Sequence, residues 1–126
     1  QKMLLTGHIG KLIKVAGGIM NTHSKEADCR MELLAAFSVK EQIEPLQVRR
    51  ILECVTTEEA VSIIEESGKL QQVMEQIAKC ICYYMENRAG GKMKTDCILF
   101  SSEYGELAKS KGAEEWFILL GREQAR

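Results

Sequence analysis

Two short apolar runs bracket the chain and constrain its fold more than any other feature. Met3-Leu4-Leu5-Thr6 stands at the front and stops at Gly7; Thr95-Asp96-Cys97-Ile98-Leu99-Phe100-Ser101 stands near the back. Their lengths and flanking glycines suit buried strands. Nearly everything between them carries the helical period. Ala27, Met31, Leu34 and Ala35 form one stripe from Lys25 to about Val39, with Ser24 as the natural N-cap and Glu26 in the first turn. Glu44-Pro45 opens a second helix, since proline is tolerated at the first helical position. Thr56 with Glu59 reads as a capping box for a third, over residues 58–67, stopped by Gly68. A fourth covers residues 70–87 and ends at Ala89-Gly90-Gly91. Glu103-Tyr104-Gly105 reads as a turn, and residues 116–120 as a last apolar stretch. A strand, a helical excursion and a return strand predict an α/β fold with a partly parallel sheet. The excursion is too long for a simple crossover, so the helices are expected to form a large layer or a subdomain of their own.

With 126 residues the chain is the length of one domain. A net charge of −1 gives no global field to recruit nucleic acid or a membrane. No stretch reaches the roughly 20 apolar residues of a membrane span. The five cysteines (Cys29, Cys54, Cys80, Cys82, Cys97) are odd in number and irregular in spacing, with no C-x-x-C. That fails as a disulfide framework and as a zinc site, and fits reduced thiols in a cytoplasmic protein with no bound metal. Gln1 stands directly before the first apolar run, which leads us to expect a fragment of something longer.

Unusual residues gather between positions 7 and 28. Both histidines, His8 and His23, lie there, with Gly7, Gly10, Gly17 and Gly18. From Gln1 to Ser24 there are three lysines, Lys2, Lys11 and Lys14, and no acidic residue. Gly7-His8-Ile9-Gly10-Lys11 is expected to form a glycine-rich strand-to-helix turn whose backbone a ligand can approach closely. Such a turn at the carboxyl end of a strand is where open α/β sheets bind ligands. By spacing it is neither a P-loop nor a dinucleotide fingerprint, and a plain structural turn explains it as well. If Ser24 caps the first long helix, His23 stands just before the cap and Asp28 at the fourth helical position, which a helix start brings together. Asp28 is then expected to accept a hydrogen bond from His23 and raise its basicity. An ordinary solvated helix start is the plainer alternative. Glu58-Glu59 and Glu65-Glu66 read as solvated helix faces, and Tyr83-Tyr84 as packing.

Two runs resemble the cobalt-precorrin-5B C(1)-methyltransferase family of anaerobic cobalamin biosynthesis. One is Gly7-His8-Ile9-Gly10-Lys11-Leu12-Ile13-Lys14 after its apolar strand. The other is Ile19-Met20-Asn21-Thr22-His23-Ser24, followed by Ala27-Asp28 and Met31-Glu32-Leu33-Leu34-Ala35-Ala36. Thr56-Thr57-Glu58-Glu59-Ala60 and Leu99-Phe100-Ser101 match more loosely. The resemblance implies that residues 1–126 are a single C-terminal α/β domain of a longer two-domain enzyme whose N-terminal domain is its partner. It implies methyl transfer from S-adenosylmethionine to ring carbon 1 of a cobalt-bound tetrapyrrole, giving cobalt-precorrin-6A. On that footing His8, His23 and Asp28 are the expected catalytic group. Gly7, Gly10, Lys11, Lys14, Asn21, Thr22 and Ser24 are expected to bind substrate or cofactor, the lysines suiting the macrocycle's carboxylates. The cobalt travels with the substrate, and the oligomeric state stays open. Two other classes compete: a non-catalytic ligand-binding module, and a helical interaction domain in which the Gly-His runs are only tight turns.

Overall fold

The computed structural model describes residues 2–20 and 28–116. Strand β1 (Lys2–His8) leads directly into helix α1 (Ile9–Ala16). Four more helices follow: α2 (Arg30–Lys40), α3 (Pro45–Leu52), α4 (Thr57–Glu66) and α5 (Leu70–Arg88). Strands β2 (Lys94–Ser101) and β3 (Gly105–Lys109) come next, and residues 113–116, the last described, are helical. The sheet order is β1-β2-β3. β1 and β2 are parallel, with Gly7 opposite Leu99 and His8 opposite Phe100. β3 returns antiparallel, with a register shift between Leu99 and Phe100. The expected α/β fold with a partly parallel sheet is therefore present. The parallel register matters for function, because it brings the carboxyl ends of β1 and β2 to one edge.

Local chemistry explains the helix boundaries. Pro45 opens α3 at a position where its missing N–H is not needed. Thr56 caps α4, its hydroxyl accepting from the Glu59 amide at 3.2 Å. Gly18, at φ +84°, takes the left-handed conformation that lets the chain leave α1.

Three expectations need correction. No glycine-rich turn separates β1 from α1, because the strand runs through Gly7 to His8 and the helix begins at the next residue. The glycines there serve close packing. A Cβ on Gly7 would stand 2.9 Å from Leu12 Cδ1, and one on Gly10 would stand 3.0 Å from His8 Nδ1 and 3.1 Å from Thr57 Oγ1. Second, α2 starts at Arg30, with Cys29 at its N-cap, so Asp28 precedes the helix instead of lying inside its first turns. Third, the helices do not form a subdomain. Ile9 and Ile13 of α1, Leu34 of α2, Ile51 of α3, Ile64 of α4, Ile77 and Ile81 of α5 and Leu99 of β2 are fully buried in one continuous core. No described helix is long and apolar enough to cross a membrane.

Candidate functional site

The carboxyl edge of the two parallel strands carries the densest polar cluster involving an expected site residue. His8, the last residue of β1, is also the N-cap of α1, and its Nδ1 accepts from the Gly10 amide at 2.9 Å. An Nδ1 that accepts has no proton, so the ring's proton sits on Nε2. Nε2 lies 3.1 Å from Glu58 Oε1 and 3.1 Å from Ser102 Oγ. Glu58 Oε1 also accepts from the Ser102 amide at 2.7 Å. The ring of Phe100, one strand position from Ser101, stands edge-on to His8 at 5.9 Å between centroids and is 38% exposed.

Each member is held by a different element. β1 and the cap geometry fix His8, the first turn of α4 fixes Glu58, and the turn after β2 fixes Ser102. Thr57, buried against Gly10, lets the start of α4 approach the β1–α1 junction. An acidic residue in that first turn also suits the positive end of the helix dipole.

The arrangement excludes one familiar chemistry. A nucleophilic serine needs its histidine to take the hydroxyl proton on one ring nitrogen while a carboxylate holds the other. Here Ser102 and Glu58 both face Nε2, and Nδ1 is committed to a backbone amide. His8 therefore has no free basic nitrogen in this geometry. The carboxylate does have an open position: Glu58 Oε2 is shielded from solvent and has no hydrogen-bond partner among the described residues. Leaving such an acceptor unpaired costs on the order of 1–3 kcal/mol.

The other expected residues are more scattered. Gly7 and Gly10 join the His8 cluster through their close packing, as described. Lys11 is exposed on α1. Lys14 is 1% exposed, so its ammonium faces the interior of the described fold and not an open surface. Asp28 is exposed and is clasped by Arg30, whose Nε and Nη2 donate to it at 2.9 and 3.1 Å. That hydrogen bond, with a smaller contribution from the Lys14 charge, holds the Asp28 carboxyl below its ordinary value. Asn21, Thr22, His23 and Ser24 lie outside the described residues, and with them the expected His23–Asp28 pair. Among the described residues no group of three or more His, Cys, Asp or Glu could hold a metal ion.

Sequence reading missed Glu58, Ser102 and Phe100 as site residues. One signal was available for Ser102: a parallel return strand ending at Ser101 must deliver the next residue to the edge where β1 ends. Glu58 gave no such signal, since its helix could have faced either way. A groove lies elsewhere, along β3 and the start of α5, lined among others by Leu70, Glu75, Leu107 and Lys111.

Comparison with known proteins decides the family. Residues 21–111 match the family model described as CbiD, C-terminal domain. The chain belongs to that family. A relative from Methanocaldococcus jannaschii named cobalt-precorrin-5B C(1)-methyltransferase is 44% identical over 110 residues, covering 87% of this chain and 30% of the relative. One of the same name from Alkaliphilus metalliredigens is 42% identical over 123 residues, covering 98% of this chain and 32% of the relative. A third, from a Thermoanaerobacter species, is 37% identical over 115 residues, covering 90% and 31%. The chain thus spans about a third of the length of these curated relatives. No solved structure matches it. Membership in the CbiD family agrees with the resemblance carried by the two runs near the front of the chain.

Proposed function

We propose that this chain is the C-terminal domain of a cytoplasmic enzyme that methylates cobalt-precorrin-5B at ring carbon 1, using S-adenosylmethionine and giving cobalt-precorrin-6A. The observation that carries the reading is the match to relatives of that name along nearly the whole chain, 98% of it in one case. The physical fit of the edge near His8 adds to it. Glu58 Oε2 is an acceptor that a bound donor would complete. Phe100 offers a half-exposed ring against which a flat adenine or macrocycle packs. S-adenosylmethionine supplies a methyl group on a positively charged sulfur, and displacement there depends chiefly on in-line positioning. This chain's part is then to hold one reactant at the β1–β2 edge. Lys11 and the Asn21-Thr22-His23-Ser24 run are proposed to contact the substrate's carboxylates and polar rim, with the N-terminal domain completing the site.

The test is anaerobic incubation of the full-length enzyme with cobalt-precorrin-5B and S-adenosylmethionine, read by mass spectrometry. Gain of one methyl group at ring carbon 1, with S-adenosylhomocysteine formed in equal amount, is the expected result. An unchanged tetrapyrrole would overturn the reading. One observation favours a second reading, a non-catalytic ligand-binding or interaction domain: the groove along β3 and the start of α5 is not lined by His8. In that case the full-length enzyme would keep its activity when His8, Lys11 and Glu58 are replaced together.

A further inference from the structure

We propose that Glu58, and not His8, is the proton acceptor of the site, and that His8 is the residue that positions it. The inference rests on the methyl-transfer reading above and deepens it. Both ring nitrogens of His8 are engaged, Nδ1 by the Gly10 amide and Nε2 by Glu58 and Ser102. Glu58 Oε1 receives two donors, the His8 ring and the Ser102 amide, which fix the carboxylate in place. Its second oxygen has no partner among the described residues and is out of contact with water. A carboxylate anchored at one oxygen and bare at the other is set up to receive a proton from a bound ligand. The turn at residues 102–104 beside it is exposed, and its Ser102 amide holds the carboxylate.

The step balances without a further reactant. A carbon–carbon bond forms between the ring carbon and the methyl group, and the methyl–sulfur bond breaks, its electron pair staying on sulfur as a neutral thioether. The macrocycle, having gained a methyl cation, releases one proton, and that proton goes to Glu58 Oε2.

The experiment uses the full-length enzyme with Glu58→Gln, Glu58→Ala and His8→Asn, and reads kcat and KM separately. Glu58→Gln keeps the shape of the side chain and the acceptor for the Ser102 amide but cannot take a proton at neutral pH. Its kcat should fall by about 100-fold or more while KM stays within about threefold. Added formate should restore part of the turnover of Glu58→Ala, which replacing a merely structural contact would not produce. Asparagine at position 8 still accepts from the Gly10 amide but falls short of Glu58, so a smaller loss is expected there. Turnover of Glu58→Gln within threefold of the parent enzyme, at equal melting temperature, would overturn the proposal. A second readout does not depend on turnover. Nitrogen NMR of the full-length enzyme, with His8 assigned by its loss in His8→Asn, should show the proton on Nε2. A proton on Nδ1 removes the positioning role whatever reaction the enzyme carries out. Absence of methylation by the parent enzyme would instead sink the functional reading, leaving the His8 tautomer to decide whether Glu58 is held as described.

Discussion

Cys97 shows how the surroundings of one side chain set its chemistry. It is fully buried on β2, and burial pushes its thiol from an ordinary value of 9.0 up to about 12. Cys29, Cys54, Cys80 and Cys82 are half-buried. Native protein treated with iodoacetamide near pH 8 should therefore be alkylated at these four well before Cys97, as peptide mass mapping would show. The same shift has a sign in stability. In the unfolded chain Cys97 loses its proton above about pH 9, while in the fold it keeps it to about pH 12. Between those values the unfolded state binds fewer protons, so stability falls as pH rises, by at most about 1.4 kcal/mol per unit from this group. Next to Cys97, buried Asp96 accepts from Ser110 Oγ at 3.0 Å and from Trp116 Nε1 at 2.9 Å. A Cβ on Gly112 would stand 2.5 Å from Asp96 Oδ1, too close for this well-held carboxylate to accommodate. Gly112→Ala should cost about 1–3 kcal/mol in urea unfolding, with quenching or shift of the single tryptophan's emission. Neither role was legible in the sequence. Asp96 sat in an apolar run, and only the fold shows that residues near 110 and 116 return to it.

Elements with a strong local signal were legible, and those that depend on distant partners were not. Pro45 placed the start of α3, although the helix ends at Leu52 and does not reach Val55 as its apolar pattern suggested. The Thr56–Glu59 cap and the apolar stripe of α5 placed their helices within a residue of the observed bounds. β3 escaped notice because Gly105-Glu106-Leu107-Ala108-Lys109 is short and has little alternation; its strand form comes from pairing with β2. The start of α2 was misplaced because Ser24 and Glu26 form a persuasive cap sequence. In the structure Asp28 instead turns toward Arg30, its carboxylate 3.4 Å from the Arg30 amide, and the helix begins there. α4 matters most for the site, since its first turn delivers Glu58. Thr56→Ala removes the cap that fixes that turn and should lower stability by about 1 kcal/mol. It should also lower turnover of the full-length enzyme by loosening Glu58, although Thr56 touches neither His8 nor Ser102. Equal stability and equal turnover in the variant would show that packing alone holds the turn.

At the scale of the whole molecule the candidate site is a product of topology. His8 and Glu58 are 50 residues apart in sequence, and His8 and Ser102 are 94 apart. No local pattern could bring these three together. They meet because the parallel pairing of β1 with β2 sends both strand ends to one edge while α4 packs its start over the junction. The α/β class was readable from two strands around a helical stretch, but this convergence needed the register. The same topology predicts how the chain unfolds. Helices α1 to α5 and β2 bury residues in one continuous core, so the helical layer has no separate hydrophobic interior to retain once the sheet is lost. Trp116 reports the sheet side through its bond to Asp96 on β2, and far-ultraviolet circular dichroism reports the helices. Urea unfolding of this chain followed by both probes should give coincident curves, the mark of one cooperative unit. If the dichroism signal persisted after the tryptophan signal was lost, the helices would hold a core of their own. The His8–Glu58–Ser102 cluster would then join two folding units, and its geometry would depend on their docking.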